Sequence, residues 1–208
     1  MKVLLINGSP HKNGCTNQAL THVAKALEAD GVETEIFWIG VKPVRGCIAC
    51  GKCSELGKCC FDDDVCNQIV AKVDQIDGLV VGSPVYWAGP NGALKAILDR
   101  VFYVAGGKLK GKAGACVASA RRAGTTATLD VLSKYFTFFH MPQAGASYWP
   151  MVHGRVNQPA DVDADIEGVA IMEQLGHSMA YIMKATAAAK DAGIEEVVVP
   201  KPNFPYVR

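Results

Sequence analysis

The sequence predicts a doubly wound α/β fold, a three-layer α/β/α sandwich around a five-stranded parallel sheet of order 2-1-3-4-5. Three observations carry this. Short apolar runs stop abruptly at turn residues, Val3 to Ile6 before Asn7-Gly8 and Leu79 to Val81 before Gly82-Ser83-Pro84, as strands buried on both faces do. Between them lie patterns of helical spacing, the first through Ala19, Leu20, Val23, Ala24 and Leu27. Strand and helix alternate along the chain, which implies parallel strands joined by right-handed crossovers.

Taken in order, strand one (Val3 to Ile6) leads through the polar loop Ser9 to Asn17 into the first helix, which Gly31 ends. Glu33 to Ile39 reads as strand two, and Gly40 to Phe61 as irregular chain rich in cysteine. Asp62, Asp63 and Asp64 form an acidic start, matched to the helix dipole, for a helix through Val65, Ile69, Val70 and Val73. Strand three is Leu79 to Val81; the loop VYWAGPNG then opens a helix with Leu94, Ile97, Leu98, Val101 and Phe102 on one face. Strand four, Ala113 to Ala118, is followed by the loop Ser119 to Thr126 and a helix through Leu129, Leu132 and Phe136. A fifth strand is expected at 143–147, a long loop at 148–158, and a long helix at 161–190 with Ile166, Val169, Ala170, Met172 and Leu175 inward. Val197 to Val199 is a further β-prone run. The whole reads as one domain, 1–208, with a cysteine-rich insertion at about 44–66 and a tail from about 191.

Composition narrows the classes. Half of the 208 residues are hydrophobic and a fifth charged, enough for a globular core. A formal net charge of +1 without a basic tract gives no indication of nucleic acid as a partner. No apolar run approaches the length of a membrane span, and Val3 to Ile6 is too short for the core of a signal peptide, so a cytoplasmic protein is expected. In a reducing compartment, six of eight cysteines crowded into 47–66 point to metal or redox chemistry rather than to disulfides.

In the flavodoxin-like strand order, ligands bind beyond the carboxyl ends of the strands, where the loops after strands one, three and four converge. The first loop offers hydroxyls (Ser9, Thr16), amides (Asn13, Asn17), His11 and the N-terminus of a helix, a set suited to phosphate. Neither GxxxxGK[ST] nor GxGxxG is present, which favours a terminal monophosphate over a triphosphate or dinucleotide; ordinary turn chemistry is the competing reading. The second loop, SPVYWAG, adds the faces of Tyr86 and Trp87 and a backbone edge from Val85 to Gly89 for a flat ring system. The third, SARRAGTT, adds Ser119, Arg121, Arg122, Gly124 and Thr125.

GSPHKNGCTN, GSPVYWAG and ASARRAG resemble the three flavin-binding loops of the NADPH-dependent FMN reductase family, and the resemblance runs over roughly residues 1–184. It implies that Ser9, His11, Asn13, Gly14, Thr16 and Asn17 hold the FMN phosphate. It implies further that Pro84, Val85, Tyr86, Trp87, Ala88 and Gly89 hold the isoalloxazine ring, with Ser119, Arg121 and Gly124 closing the site. His11 departs from the arginine or lysine often found there and should grip phosphate less strongly; Cys15 replaces a commoner small polar residue. The spacing Cys47-x2-Cys50-x2-Cys53-x5-Cys59 resembles the motif of iron–sulfur flavoproteins, which implies a [4Fe–4S] cluster on those four sulfurs. Zinc, or thiols without metal, remain open at the same residues, and Cys60 and Cys66 are surplus ligands.

The leading expectation is an FMN-binding oxidoreductase. It would take hydride from NAD(P)H and pass electrons to a flavin, quinone or other small-molecule or protein acceptor, as a homodimer or homotetramer and without an essential general base. One alternative is an iron–sulfur flavoprotein acting as an electron carrier; another is a thiol redox sensor. His22, His140 and His177 read as surface or helix-end residues. Tyr148, Trp149, His153 and Arg155 read as a lid or a subunit contact.

Overall fold

The computed structural model describes residues 1–199. Strands β1 (Lys2–Asn7), β2 (Glu33–Trp38), β3 (Gly78–Tyr86), β5 (Ala113–Ala120) and β6 (Met151–His153) form a parallel sheet in the order β2-β1-β3-β5-β6. The two residues of β4 (Gly89–Pro90) fold back antiparallel on the end of β3, Tyr86 opposite Gly89. With that hairpin set aside, the order is the expected 2-1-3-4-5. Alternate residues of the apolar strands serve two cores. Leu4 and Ile6 of β1, with Leu79 and Val81 of β3, pack against α3 (Cys66–Lys72), α4 (Gly92–Leu109) and α5 (Thr125–Phe138). Val3, Leu5 and Val80 pack instead against α1 (Cys15–Ala29) and α7 (Ile166–Asp191) through Leu20, Val23, Met172, Leu175 and Met179. A helical turn, α2 (Cys53–Leu56), lies inside the cysteine-rich segment, and α6 (Pro159–Ala164) precedes α7. Among the described residues no helix is long and apolar enough to cross a membrane.

Four expectations need correction. The fifth strand is Met151–His153, not 143–147. Gln143 does pair with Gly114, but the chain then leaves the sheet and rejoins β5 only where Met151 meets Ala118. Val152 is fully buried there, opposite Ser119. The excursion carries Tyr148 and Trp149 outward, edge to face at 4.7 Å and both exposed. The long helix is broken at Asp165, whose carboxylate accepts from Gly168 N at 3.0 Å and from His153 N at 2.8 Å. The break turns Ile166 and Ala170 outward, and Gly168, Ile171, Met172 and Leu175 form the buried face. Val197 to Val199 form no strand and lie exposed, and the rest of the tail falls outside the described residues. Finally, strand three does not stop at Gly82: β3 runs on to Tyr86. Asp64 does sit at the start of α3, accepting from Cys66 N at 2.9 Å, and its carboxylate also turns inward to Arg100.

Candidate functional site

The ends of β1, β3 and β5 bring the three expected loops to one crevice. Asn7, fully buried at the end of β1, organises the first of them. Its Oδ1 accepts from Ser9 N at 3.0 Å, and its Nδ2 donates to the Lys12 carbonyl at 3.0 Å and to Asn17 Oδ1 at 3.3 Å. Trp38, at the end of β2, donates its indole N–H to the Ser9 carbonyl at 2.7 Å. These bonds shape the loop without using Thr16 Oγ1 or the helix N–H groups, while Ser9 Oγ accepts from His11 N at 3.1 Å. Helix α1 starts after Gly14 with no side-chain cap, so the first-turn N–H groups are available to an anion.

A cavity of about 210 Å³ is lined by Ser9, His11, Gly14, Thr16, Pro84, Val85, Tyr86, Ser119 and Arg121. Thr16 Oγ1 and Ser119 Oγ, both buried, lie 2.8 Å apart and join the first loop to the third. Of the other expected contacts, Asn17 works through Asn7, and Asn13 is exposed and away from the cavity wall. Trp87, Ala88, Gly89 and Gly124, also expected at the site, do not line the cavity. Trp87 (φ 52°) and Ala88 (φ 56°) both adopt left-handed backbone in the two-residue turn joining β3 to β4, positions usually left to Asn and Gly. The turn holds the Trp87 side chain clear of the protein, 102% exposed. Gly124 (φ 92°) backs this hairpin: a Cβ there would sit 2.8 Å from Val85 Cγ1 and 2.9 Å from Ala88 Cα. Asn91 ties the hairpin to the first loop, donating from Nδ2 to the Gly8 carbonyl at 2.8 Å and capping α4 through Ala93 N.

The far wall of the cavity is Gly154 to Asn157, in the loop whose Arg155 the sequence marked as part of a lid or a subunit contact. Asp161 anchors it, accepting from Arg155 N, Nε and Nη2 at 2.8 Å each. The guanidinium and the N–H bond hold the Asp161 carboxyl down to about 2. Cys15 Sγ lies 3.2 Å from the Arg155 carbonyl, and burial pushes its thiol up, so it serves as a neutral packing group. With Arg155 committed to Asp161, Arg121 is the cation on the cavity wall with no carboxylate in ion-pair range among the described residues.

A second cavity, about 160 Å³, is lined by Cys47, Cys50, Cys53, Cys59 and Cys60 together with Arg100, Tyr103 and Val104 of α4. Left-handed backbone at Ala49 and Gly51 curls the chain between the first three cysteines. Ala49 N donates to Cys47 Sγ at 3.4 Å, and Arg100 Nε donates to Cys59 Sγ at 3.2 Å. Cys50 and Cys60 sulfurs are 3.5 Å apart. Among the described residues no three such groups converge on a single-ion site. Thiolates spread around a cavity, with N–H donors aimed at two of them, make a donor set that fits an iron–sulfur group better than one zinc ion. Cys66 stands behind Cys59, fully buried and not on the cavity wall, and burial pushes its thiol up to about 12. Arg100 and Asp64 were missed as parts of this site. The available signal was an arginine beside Val101 on the otherwise apolar face of α4.

A parallel sheet of this order, with a phosphate-type cradle and an aromatic hairpin at its switch point, defines a flavodoxin-like protein. The chain belongs to the NADPH-dependent FMN reductase family, whose pattern matches residues 1–155. An iron–sulfur flavoprotein of Methanocaldococcus jannaschii is 33% identical over 191 residues, covering 88% of this chain and 98% of that protein. An FMN reductase (NADPH) of Escherichia coli is 27% identical over 99 residues, 48% of this chain and 47% of that one. In fold, the WrbA-like flavodoxin from Agrobacterium tumefaciens superposes with a TM-score of 0.62 at 15% identity, over 89% of this chain and 97% of that chain. The protein is a flavin-binding redox protein of this family.

Proposed function

We propose that this protein is an electron-carrying iron–sulfur flavoprotein, with FMN at the strand ends and a [4Fe–4S] cluster in the cysteine-lined cavity. The observation that carries this reading is the second cavity: four thiols at the expected spacing line it, beside α4, the helix that follows the aromatic hairpin. From Gly92, beside the aromatic hairpin, to Arg100 is about 12 Å along α4 at the usual helical rise. The Methanocaldococcus jannaschii relative, matched over nearly its whole length, is named for both groups, whereas the named reductase matches less than half of this chain. The carrier reading is therefore preferred to a direct NAD(P)H reductase.

When bound, FMN accepts hydride or single electrons and the cluster exchanges single electrons. The residues supply the rest. Hydroxyls of Ser9, Thr16 and Ser119 and the first N–H groups of α1 bind the phosphate, and Arg121 offsets its charge. Pro84 to Gly89 orient the ring, with Tyr86 and Trp87 shielding it from water. Cys47, Cys50, Cys53 and Cys59 bind iron. The bare Trp87 and the Tyr148–Trp149 pair are surfaces on which a second copy, in a homodimer or homotetramer, or a protein electron acceptor can sit.

Cys53→Ser is expected to abolish iron while leaving one FMN per chain, measured by iron assay and flavin release after anaerobic purification. Retained iron, or joint loss of iron and FMN, would contradict the assignment. Trp87→Gly separates strain from binding. Relief of about 1–2 kcal/mol of left-handed strain offsets the about 0.5–1 kcal/mol entropy cost of glycine. The urea midpoint of the apoprotein should therefore hardly move, while the Kd for FMN rises several-fold; an unchanged Kd would place the ring elsewhere. A second reading, direct oxidation of NAD(P)H at the same flavin, is favoured by the open face of the hairpin; rapid anaerobic bleaching of the bound flavin by NADPH or NADH would establish it.

A further inference from the structure

Two adjacent cysteines, Cys59 and Cys60, line the same cavity, and only one is needed to complete a set of four with Cys47, Cys50 and Cys53. Their surroundings differ. Cys60 is exposed, and its sulfur lies 3.5 Å from the Cys50 sulfur. Cys59 is buried and held from both sides. Asn67 grips its backbone, Oδ1 accepting from Cys59 N at 2.8 Å and Nδ2 donating to the Cys59 carbonyl at 3.0 Å. Its sulfur accepts from Arg100 Nε at 3.2 Å.

Arg100 is 1% exposed, and its planar fork is fully used. Nη1 donates to the Arg45 carbonyl at 3.2 Å and to Asp64 Oδ2. Nη2 donates to the Phe61 carbonyl at 3.3 Å and to Asp64 Oδ1 at 3.1 Å. One side chain thus pins the start of the cysteine segment at Arg45, its end at Phe61 and Asp64, and one sulfur between them. A lysine has three donors on a point charge and cannot reproduce this pattern.

We propose that Arg100 is the positioning residue that makes Cys59, and not Cys60, the fourth iron ligand, and that its N–H···S bond sets the ease with which the bound cluster is reduced. This rests on the reading of the cavity as a cluster site. Partners beyond the ligands orient them and tune the metal, and hydrogen bonds to ligand sulfur stabilise the added electron of the reduced state. Losing such a bond while keeping the positive charge therefore lowers the reduction potential.

The test uses the full-length chain, purified anaerobically and reconstituted with ferrous iron and sulfide, as wild type and as C59S, C60S and R100K. Far-UV circular dichroism and FMN titration report whether each variant is folded. Wild type and C60S are expected to bind the same iron and to give the same spectrum on reduction, and C59S to lose it. R100K is expected to fold and bind FMN, to hold several-fold less iron, and to show a more negative midpoint in a redox titration of what remains. C60S losing iron while C59S retains it overturns the ligand choice. R100K matching wild type in both iron and midpoint overturns the role of Arg100 and leaves the cluster reading standing. Wild type that takes up no iron overturns both. Should R100K not fold, alkylation of folded, iron-free wild type decides: Cys60 modified well before Cys59 supports the assignment, and equal rates overturn it.

Discussion

Asp64→Asn lowers the stability of the protein by about 3–5 kcal/mol, the usual cost of removing one partner from a buried ion pair. Arg100 and Asp64 are 1% and 3% exposed at their side chains, and the guanidinium cannot escape by deprotonation. Asparagine keeps the size and shape of the aspartate, so the loss reports the uncompensated charge and not a cavity. The effect is a large share of the 5–15 kcal/mol that holds a typical domain together. Urea unfolding of the apoprotein measures it as a lower midpoint at unchanged slope. The double variant R100M/D64L should recover only part of the stability: the charge cost is removed, but the Arg45 and Phe61 carbonyls and the Cys66 N–H lose their partners. A loss below about 1 kcal/mol for D64N, the range of exposed pairs, would mean that Arg100 reaches water.

Gly124→Val acts at the other site. The position has φ 92°, and a Cβ there would press within 2.8 Å of Val85 and 2.9 Å of Ala88. Left-handed strain in a branched residue costs about 1–3 kcal/mol. The simplest relief is for the hairpin carrying Tyr86 and Trp87 to move away. If that displacement is charged to binding, FMN affinity falls about 10- to 100-fold, at 1.4 kcal/mol per tenfold. Fluorescence titration of the apoprotein with FMN reads the change. Iron content should not follow, because Gly124 lies on the β5–α5 loop, away from the cysteines. A Kd within twofold of wild type would show that the hairpin does not contact the ring.

Local signals made most of the architecture legible. Val3 to Ile6 and Leu79 to Val81 are apolar on both strand faces because both faces are covered; Asn7 marks the end of β1, whereas Gly82 lies within β3, which runs on to Tyr86. The three loops meet because strand order, and not any pairwise motif, places them at one sheet end. What stayed hidden depends on distant partners. The break at Asp165 follows from the N–H of His153, twelve residues earlier. The last strand is set by where the chain rejoins β5, Met151 opposite Ala118. Asp64 is the expected acidic start of α3, but its second partner, Arg100, lies 36 residues later and leaves no local signal. Cys59 and Cys60 are indistinguishable as letters, and they part only when Asn67 and Arg100 enclose one of them.

The most direct check is the colour and composition of the protein purified without oxygen. One FMN and about four irons per chain, with broad cluster absorption beneath the flavin bands that fades on reduction, is the result expected here. Colourless protein that takes up neither FMN nor iron would contradict the account, and a yellow protein without iron, even after reconstitution, would leave a simple flavin reductase in its place.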